Sequence, residues 1–75
     1  MIINEKNVIM ADMVKRLSLM LLSRNHGMTM EQALSVVLNS DTCKKVMDEQ
    51  ARLYYQSPGY VFSFLESELN TGKMR

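Results

Sequence analysis

The chain has one histidine and one cysteine, His26 and Cys43, which form its only candidate pair of base and nucleophile. Cysteine catalysis needs a lowered thiol pKa and a base within hydrogen-bonding reach. Cys43, however, recurs with Val46 and Met47 at helical spacing, which is typical of a small buried hydrophobic residue. His26 stands where a predicted helix ends. We therefore predict structural roles for both side chains and no enzymatic activity.

The other groups that could perform acid–base or metal chemistry are carboxylates. Asp48 and Glu49 are adjacent and Glu66 and Glu68 are two positions apart, so the members of each pair do not face each other on a helix. We expect these four side chains to be solvated. One histidine and one cysteine do not provide the ligand spacing of a zinc site, and the sequence has no glycine-rich phosphate loop. The prediction is no metal and no cofactor.

Two lysines raise the alternative of a helix-turn-helix that binds DNA. Predicted helices over residues 29–38 and 41–50 would form the pair, with the small residue Ala33 in the first of them. Lys44 and Lys45 would then contact phosphates from the second helix. That helix offers almost no side chain that reads base edges in its first turns. Nucleic-acid binding is therefore a possible function but not the favoured one.

Composition restricts the classes of protein further. The 75 residues carry nine basic and eight acidic side chains, a net charge of +1, which neither supports nor excludes DNA binding. A lone cysteine excludes an internal disulfide and suits a reducing compartment. The longest apolar runs have four residues, among them residues 19–22, and are far shorter than the roughly 20 residues that span a bilayer. The N-terminal residues also lack the pattern of a signal peptide. We expect a cytoplasmic protein that does not enter a membrane.

The elements that position these residues are all predicted to be helical. The first helix should run from about residue 4 or 5 to Asn25 and stop at His26–Gly27, with the glycine in a left-handed cap. Its apolar residues recur at intervals of three and four, which indicates one broad face directed at a core. The residues of that predicted inward face are Ile9, Met10, Met13, Val14, Leu17, Met20 and Leu21.

Local capping signals predict three further helices. Thr29 and Gln32 form a capping box that should begin a second helix, which ends near Asn39. Ser40 or Asp41 should cap a third helix whose end the sequence leaves open, and Ser57–Pro58 should begin a fourth that ends near residue 69. The predicted inward residues of these helices are Met30, Ala33, Leu34, Val37, Cys43, Val46, Met47, Val61, Phe64, Leu65 and Leu69.

The predicted fold class is therefore all-α. We expect one domain over residues 1–75, folded as a compact orthogonal bundle of about four helices with a long first helix. Residues 4–70 should form the ordered part, and the tail 71–75 should fray.

Helix one carries more apolar residues than one inward face needs. Val8, Leu19 and Leu22 fall on its opposite side, where two seven-residue repeats run through the sequence. One interpretation is a long helix half-wrapped by its neighbours, or isolated exposed apolar residues, which are common. The other is a surface for self-association or for a partner protein. The repeats are Val8–Lys15–Leu22 and Asp12–Leu19–His26.

The aromatic residues form a second candidate surface. All five lie between positions 54 and 64, and Phe64 alone falls on the predicted inward stripe. The cluster is either core or a partner interface, in which tyrosine and phenylalanine are enriched. Under the second interpretation the contact residues are Tyr54, Tyr55 and Phe62.

Several segments resemble small uncharacterised bacterial all-helical proteins of the domain-of-unknown-function type. They are residues 27–34 (GMTMEQAL), the pair Asn39–Ser40 and residues 53–61 (LYYQSPGYV), within a likeness that extends over residues 16–69. Some of those proteins are similar in size to products of toxin–antitoxin-like operons. The resemblance implies a bacterial source and a helper or regulatory role, and it carries no functional residue over to this chain.

The favoured hypothesis from the sequence is a protein-interaction module that is homodimeric or binds a partner protein. Its contacts would be made by helix one, by the aromatic segment 54–64, or by both. The alternative is a small helix-turn-helix regulator or an antitoxin-like protein.

Overall fold

Helices make up the regular structure of this chain. The computed structural model describes residues 5–71, and within them there are four α-helices, one short 3-10 helix and no strand. The all-α prediction, with a long first helix, is confirmed. The elements are α1 (Glu5–Arg24), α2 (Met30–Leu38), α3 (Asp41–Val46), the 3-10 helix (Leu53–Tyr55) and α4 (Pro58–Thr71). The start predicted at residue 4 and all but the first residue of the predicted frayed tail 71–75 lie outside the described residues; Thr71 is the last residue of α4.

The inward face of α1 follows the predicted spacing. Its apolar residues at three- and four-residue intervals are buried, while Ile9 and Met20 lie half-buried at the edges. Ser18 is also fully buried, and its hydroxyl donates to the carbonyl of Val14 at 2.9 Å, so the face includes no unsatisfied hydroxyl. The buried apolar residues of α1 are Met10, Met13, Val14, Leu17 and Leu21.

The end of α1 differs from the prediction. The helix ends at Arg24, one residue early, and Gly27 does not adopt the left-handed conformation expected of a cap. The side-chain amide of Asn25 instead donates to the carbonyl of Leu21 at 2.9 Å. The backbone N–H of Met28 then donates to the carbonyl of Asn25 at 3.0 Å. The Asn25 side chain therefore satisfies one carbonyl near the end of α1, without a left-handed glycine.

The predicted caps of α2 and α3 are confirmed. Thr29 Oγ1 accepts from the backbone N–H of Gln32 at 3.2 Å, and Gln32 Oε1 accepts from that of Thr29 at 3.0 Å. Ser40, rather than Asp41, caps α3: its Oγ accepts from the N–H of Cys43 at 3.0 Å. Each bond joins residues only three positions apart, which is why the sequence alone predicts it.

The third helix is shorter than the range 41–50 that the helix-turn-helix alternative requires. It has six residues and ends at Val46, with Met47 as its C-cap. Asp48 Oδ1 then accepts from the backbone N–H of Gln50 at 2.9 Å. An aspartate that bonds the backbone two residues further on favours a turn over continued helix. Arg52 follows with φ 56°, the one positive-φ residue other than glycine in the described chain.

Helix α4 begins as predicted but packs with a different face. Ser57 Oγ accepts from the N–H of Tyr60 at 3.3 Å, and Pro58 is the first helical residue. Phe62 is buried, whereas Phe64 is only half-buried and packs edge-on against the Tyr60 ring at 4.9 Å between ring centroids. The predicted inward stripe of α4 is therefore wrong at Phe64, and also at Leu69, which is 49% exposed.

One core connects the helices. Helix α1 lies against α2, α4, α3 and the 3-10 helix, and α4 also packs on α3. Met30 and Met47, predicted to point inward, are exposed because α2 and α3 each bury only a narrow stripe. The buried apolar residues outside α1 are Ala33, Val37, Cys43, Val46, Tyr54, Val61, Phe62 and Leu65. The radius of gyration is 12.1 Å, close to the roughly 11 Å of a compact chain of this length.

Candidate interaction surfaces

The outer face of α1 presents two of the three predicted contact residues to solvent. The side chains of Val8 and Leu19 are 52% and 45% exposed. The two residues are eleven positions apart. At 100° per residue, they lie within about 20° of each other around the helix axis and roughly 16 Å apart along it. They therefore share one surface that faces away from the core.

Leu22, the third predicted contact, is placed differently. It is half-buried and packs against the core cluster. On the helix surface it lies about 40° from Ser18, which is fully buried, so it stands at the border of the inward face. Leu22 can therefore contribute only an edge to any contact on the outer face.

Charged side chains separate the two exposed apolar residues. Asp12 Oδ2 accepts from Arg16 Nε at 2.6 Å, an ion pair of residues four apart in which both side chains are about half exposed. Lys15 lies between Val8 and Leu19 on the same line and makes no ion pair within residues 5–71. The outer face of α1 is thus apolar at its two ends and charged at its centre.

The aromatic segment is mainly core. Tyr54 and Phe62 are only 4% and 2% exposed, so the prediction that they contact a partner is not supported by their placement. The guanidinium of Arg24 covers the Phe62 ring at 5.2 Å from its centroid. Tyr55 alone of the three is on the surface, 61% exposed, with its ring centroid 4.5 Å from that of Tyr54.

Tyr55 borders an open cavity of about 470 Å³ between the start of α1 and the 3-10 helix. Lys6 Nζ and Glu49 Oε2 lie 3.3 Å apart there, so the cavity holds charges of both signs. A lining with charges of both signs does not favour one class of ligand over another. The lining residues are Lys6, Glu49, Gln50, Arg52, Tyr54 and Tyr55.

His26 and Cys43 do not line a common cavity among the described residues. His26 is exposed in the α1–α2 loop, beside a cavity whose lining does not include Cys43. Cys43 is buried, and that burial raises the pKa of its thiol, which disfavours the reactive thiolate. Within residues 5–71 no three histidine, cysteine or acidic side chains are grouped to hold a metal ion.

The N-terminus of α3 is covered by Glu68 from α4. Glu68 Oε2 accepts from the N–H of Asp41 at 2.8 Å, and Oε1 accepts from both the N–H and the hydroxyl of Thr42 at 2.9 Å. The expectation of a solvated carboxylate is wrong at this position. Its place three residues after the core residue Leu65 puts Glu68 next to the inward face of α4, but nothing in the sequence indicates these bonds to α3.

Two other charged positions bear on the predicted functions. Glu66, expected to be solvated, pairs with Arg24 at 2.7 Å between Oε2 and Nη1. Lys44 and Lys45 are exposed on α3, as the DNA-binding alternative requires, and Lys44 Nζ lies 3.4 Å from Asp41 Oδ1. Lys44 therefore stands beside the Asp41 carboxylate, on the helix whose N-terminus Glu68 covers.

Comparison with protein families, curated proteins and solved structures gives no match for this chain. None of the helices within residues 5–71 is both long and apolar enough to span a membrane.

Proposed function

We propose that this protein is an interaction module that associates through the outer face of α1, with a second copy as its partner. The observation that supports the proposal is the exposure of Val8 and Leu19 on one line of a helix whose opposite face is fully used by the core. Isolated exposed apolar residues are ordinary on protein surfaces. Two on one line, eleven residues apart, fit a d and an a position of a heptad pattern, which is more typical of a helix–helix contact.

The size of the chain supports the same proposal. A chain of 75 residues has a small core, and small domains without a disulfide or a metal often gain stability by oligomerisation. The single cysteine is buried and unpaired. A second subunit on α1 would cover the exposed apolar side chains without disturbing the core on the other side of the helix.

Sedimentation equilibrium across micromolar concentrations tests the proposal. We expect a dimer for the unaltered chain and a shift to monomer for Val8→Lys combined with Leu19→Lys, because both changes place charge in the contact. Leu38→Lys is the control, since Leu38 is 55% exposed but lies on α2. A chain that stays monomeric throughout would refute self-association and would leave this face to a heterologous partner.

The helix-turn-helix or antitoxin-like alternative has weaker support. Lys44 and Lys45 are exposed, but the Glu68 carboxylate lies at the N-terminus of α3, where a recognition helix contacts DNA. A fixed negative charge there repels phosphates. We expect no appreciable duplex binding at physiological salt in fluorescence anisotropy. Submicromolar, sequence-selective binding that weakens in Lys44→Ala with Lys45→Ala would favour the alternative.

A further inference from the structure

The arrangement of charges on the outer face of α1 points to one geometry for the self-association proposed above, on which this inference rests. We propose that α1 packs against α1 of a second copy as an antiparallel pair. In this pair Val8 lies opposite Leu19 of the second copy, and Asp12 lies opposite its Lys15.

The spacing of the outer face is that of a heptad. Positions 8, 12, 15, 19 and 22 are separated alternately by four and three residues, the pattern of the a and d positions of a coiled coil. Position 8 is then a d position and position 12 an a position. Reversing one helix exchanges the order of the four- and three-residue steps, so an a position of one copy lies opposite a d position of the other.

Among the antiparallel registers that pair most of α1, one matches the residues at the centre of this face. With the two-fold axis between residues 13 and 14, Val8 meets Leu19 and Asp12 meets Lys15, and symmetry repeats each contact. A shift by one heptad would place Val8 opposite Asp12, or Leu19 opposite Lys15. In the proposed register the two exposed apolar side chains meet each other and the acid meets the base, while Leu22, at the edge of the face, lies opposite Glu5.

A parallel pair is disfavoured by the same charges. It would place Asp12 against Asp12 and Lys15 against Lys15, and like charges directly across a helix contact are repulsive. Polar residues at a and d positions commonly specify register and orientation at some cost in stability. We therefore interpret Asp12 and Lys15 as the residues that choose the geometry, and Val8 and Leu19 as those that provide apolar contact.

Both charged groups are available for the contact. Lys15 is exposed and makes no ion pair within the described part of the chain. Asp12 binds Arg16 through Oδ2 alone, so Oδ1 can accept from a lysine of the second copy. Packed helices lie about 8–10 Å apart, a distance that the two side chains can bridge.

Charge exchange at these two positions tests the register. Asp12→Lys alone and Lys15→Asp alone each place like charges across the contact, and each should weaken the dimer about tenfold or more. An equimolar mixture of the two variants should form a heterodimer, because every charge then meets its opposite. The double variant Asp12→Lys with Lys15→Asp should dimerise as well as the unaltered chain. In a parallel pair the single variants would dimerise no less well than the unaltered chain, because like charges would face each other in every homodimer.

Lys45→Asp is the matched control for charge, because it makes the same change as Lys15→Asp on exposed α3. Circular dichroism of each variant establishes that the helices remain folded, as expected for substitutions at exposed positions.

Cysteine cross-linking under oxidised glutathione tests the orientation. Val8→Cys mixed with Leu19→Cys should give a disulfide-linked dimer, whereas Val8→Cys alone should give little, since the two copies of position 8 would be about 16 Å apart along the pair. The unaltered chain is the control, because its Cys43 is buried.

The outcomes separate this inference from the proposed function. A chain that is monomeric at all concentrations refutes self-association, and the pairing with it. A dimer that is weakened by Leu19→Lys but is indifferent to the charge exchanges refutes the register and leaves the proposed function standing. Efficient cross-linking of Val8→Cys alone refutes the antiparallel orientation.

Discussion

Removal of the Glu68 carboxylate should destabilise the fold far more than removal of an ordinary surface charge. Glu68 accepts three hydrogen bonds from Asp41 and Thr42, at 2.8, 2.9 and 2.9 Å. The Thr42 side chain is fully buried, so Glu68→Ala leaves its hydroxyl without that acceptor, at a cost of about 1–3 kcal/mol. Loss of an anion from the first turn of α3 adds about 0.3–1 kcal/mol.

These contributions give a loss of about 1–4 kcal/mol in the free energy of unfolding. A 75-residue chain has a total stability of roughly 4–11 kcal/mol, so the loss is a large share. In urea, the free energy of unfolding of a small domain falls by about 1 kcal/mol per molar, so the midpoint should fall by about 1 M or more. Circular dichroism at increasing urea concentration measures this shift.

Two variants separate the effect of the cap from that of charge alone. Glu66→Ala removes the same side chain two positions earlier, from an exposed pair with Arg24, and should cost less than about 1 kcal/mol. Glu68→Gln keeps one acceptor oxygen but loses the charge, and should cost about 1–2 kcal/mol. If Glu68→Ala costs no more than Glu66→Ala, the reasoning from the hydrogen bonds is refuted.

Three further predictions concern the aromatic segment, the start of α4 and the buried thiol. Phe62→Ala should cost about 3–5 kcal/mol in urea unfolding because Phe62 is core, whereas Tyr55→Ala, at an exposed side chain, should cost less than about 1 kcal/mol; equal losses would contradict the assignment. Ser57→Ala should cost about 1 kcal/mol through loss of the bond from the N–H of Tyr60, and an unchanged thermal midpoint would contradict the cap. Burial raises the pKa of the Cys43 thiol, so the unfolded chain releases this proton at lower pH than the folded chain does. The free energy of unfolding should therefore fall with rising pH above about 9 more steeply in the unaltered chain than in Cys43→Ala, and parallel curves would refute this contribution.

Features that depend on neighbours in the sequence were predictable from it. The capping box of Thr29 and Gln32, the Ser40 cap and the start of α4 at Ser57–Pro58 are all present. Each relies on hydrogen bonds between residues about three apart, which form whenever the chain adopts that local conformation. The inward face of α1 was predictable because its apolar spacing repeats over more than three helical turns.

The candidate surface on α1 was predictable only in part. Val8 and Leu19 are exposed, as expected of residues opposite the core face, but Leu22 is half-buried. Angles on a helix place a residue relative to the inward face, yet the width of that face depends on how far neighbouring helices extend around it. At Leu22 they extend far enough to cover most of the residue.

The tertiary structure alone decided the face that α4 buries and the role of Glu68. Phe62 and Phe64 are both apolar and lie about 200° apart on the helix, so the pattern permits either inward face, and the positions of α1 and α3 select Phe62. The bonds from Glu68 join residues 26 and 27 positions apart. No local preference encodes such a contact, because it exists only when α4 has already packed beside the first turn of α3.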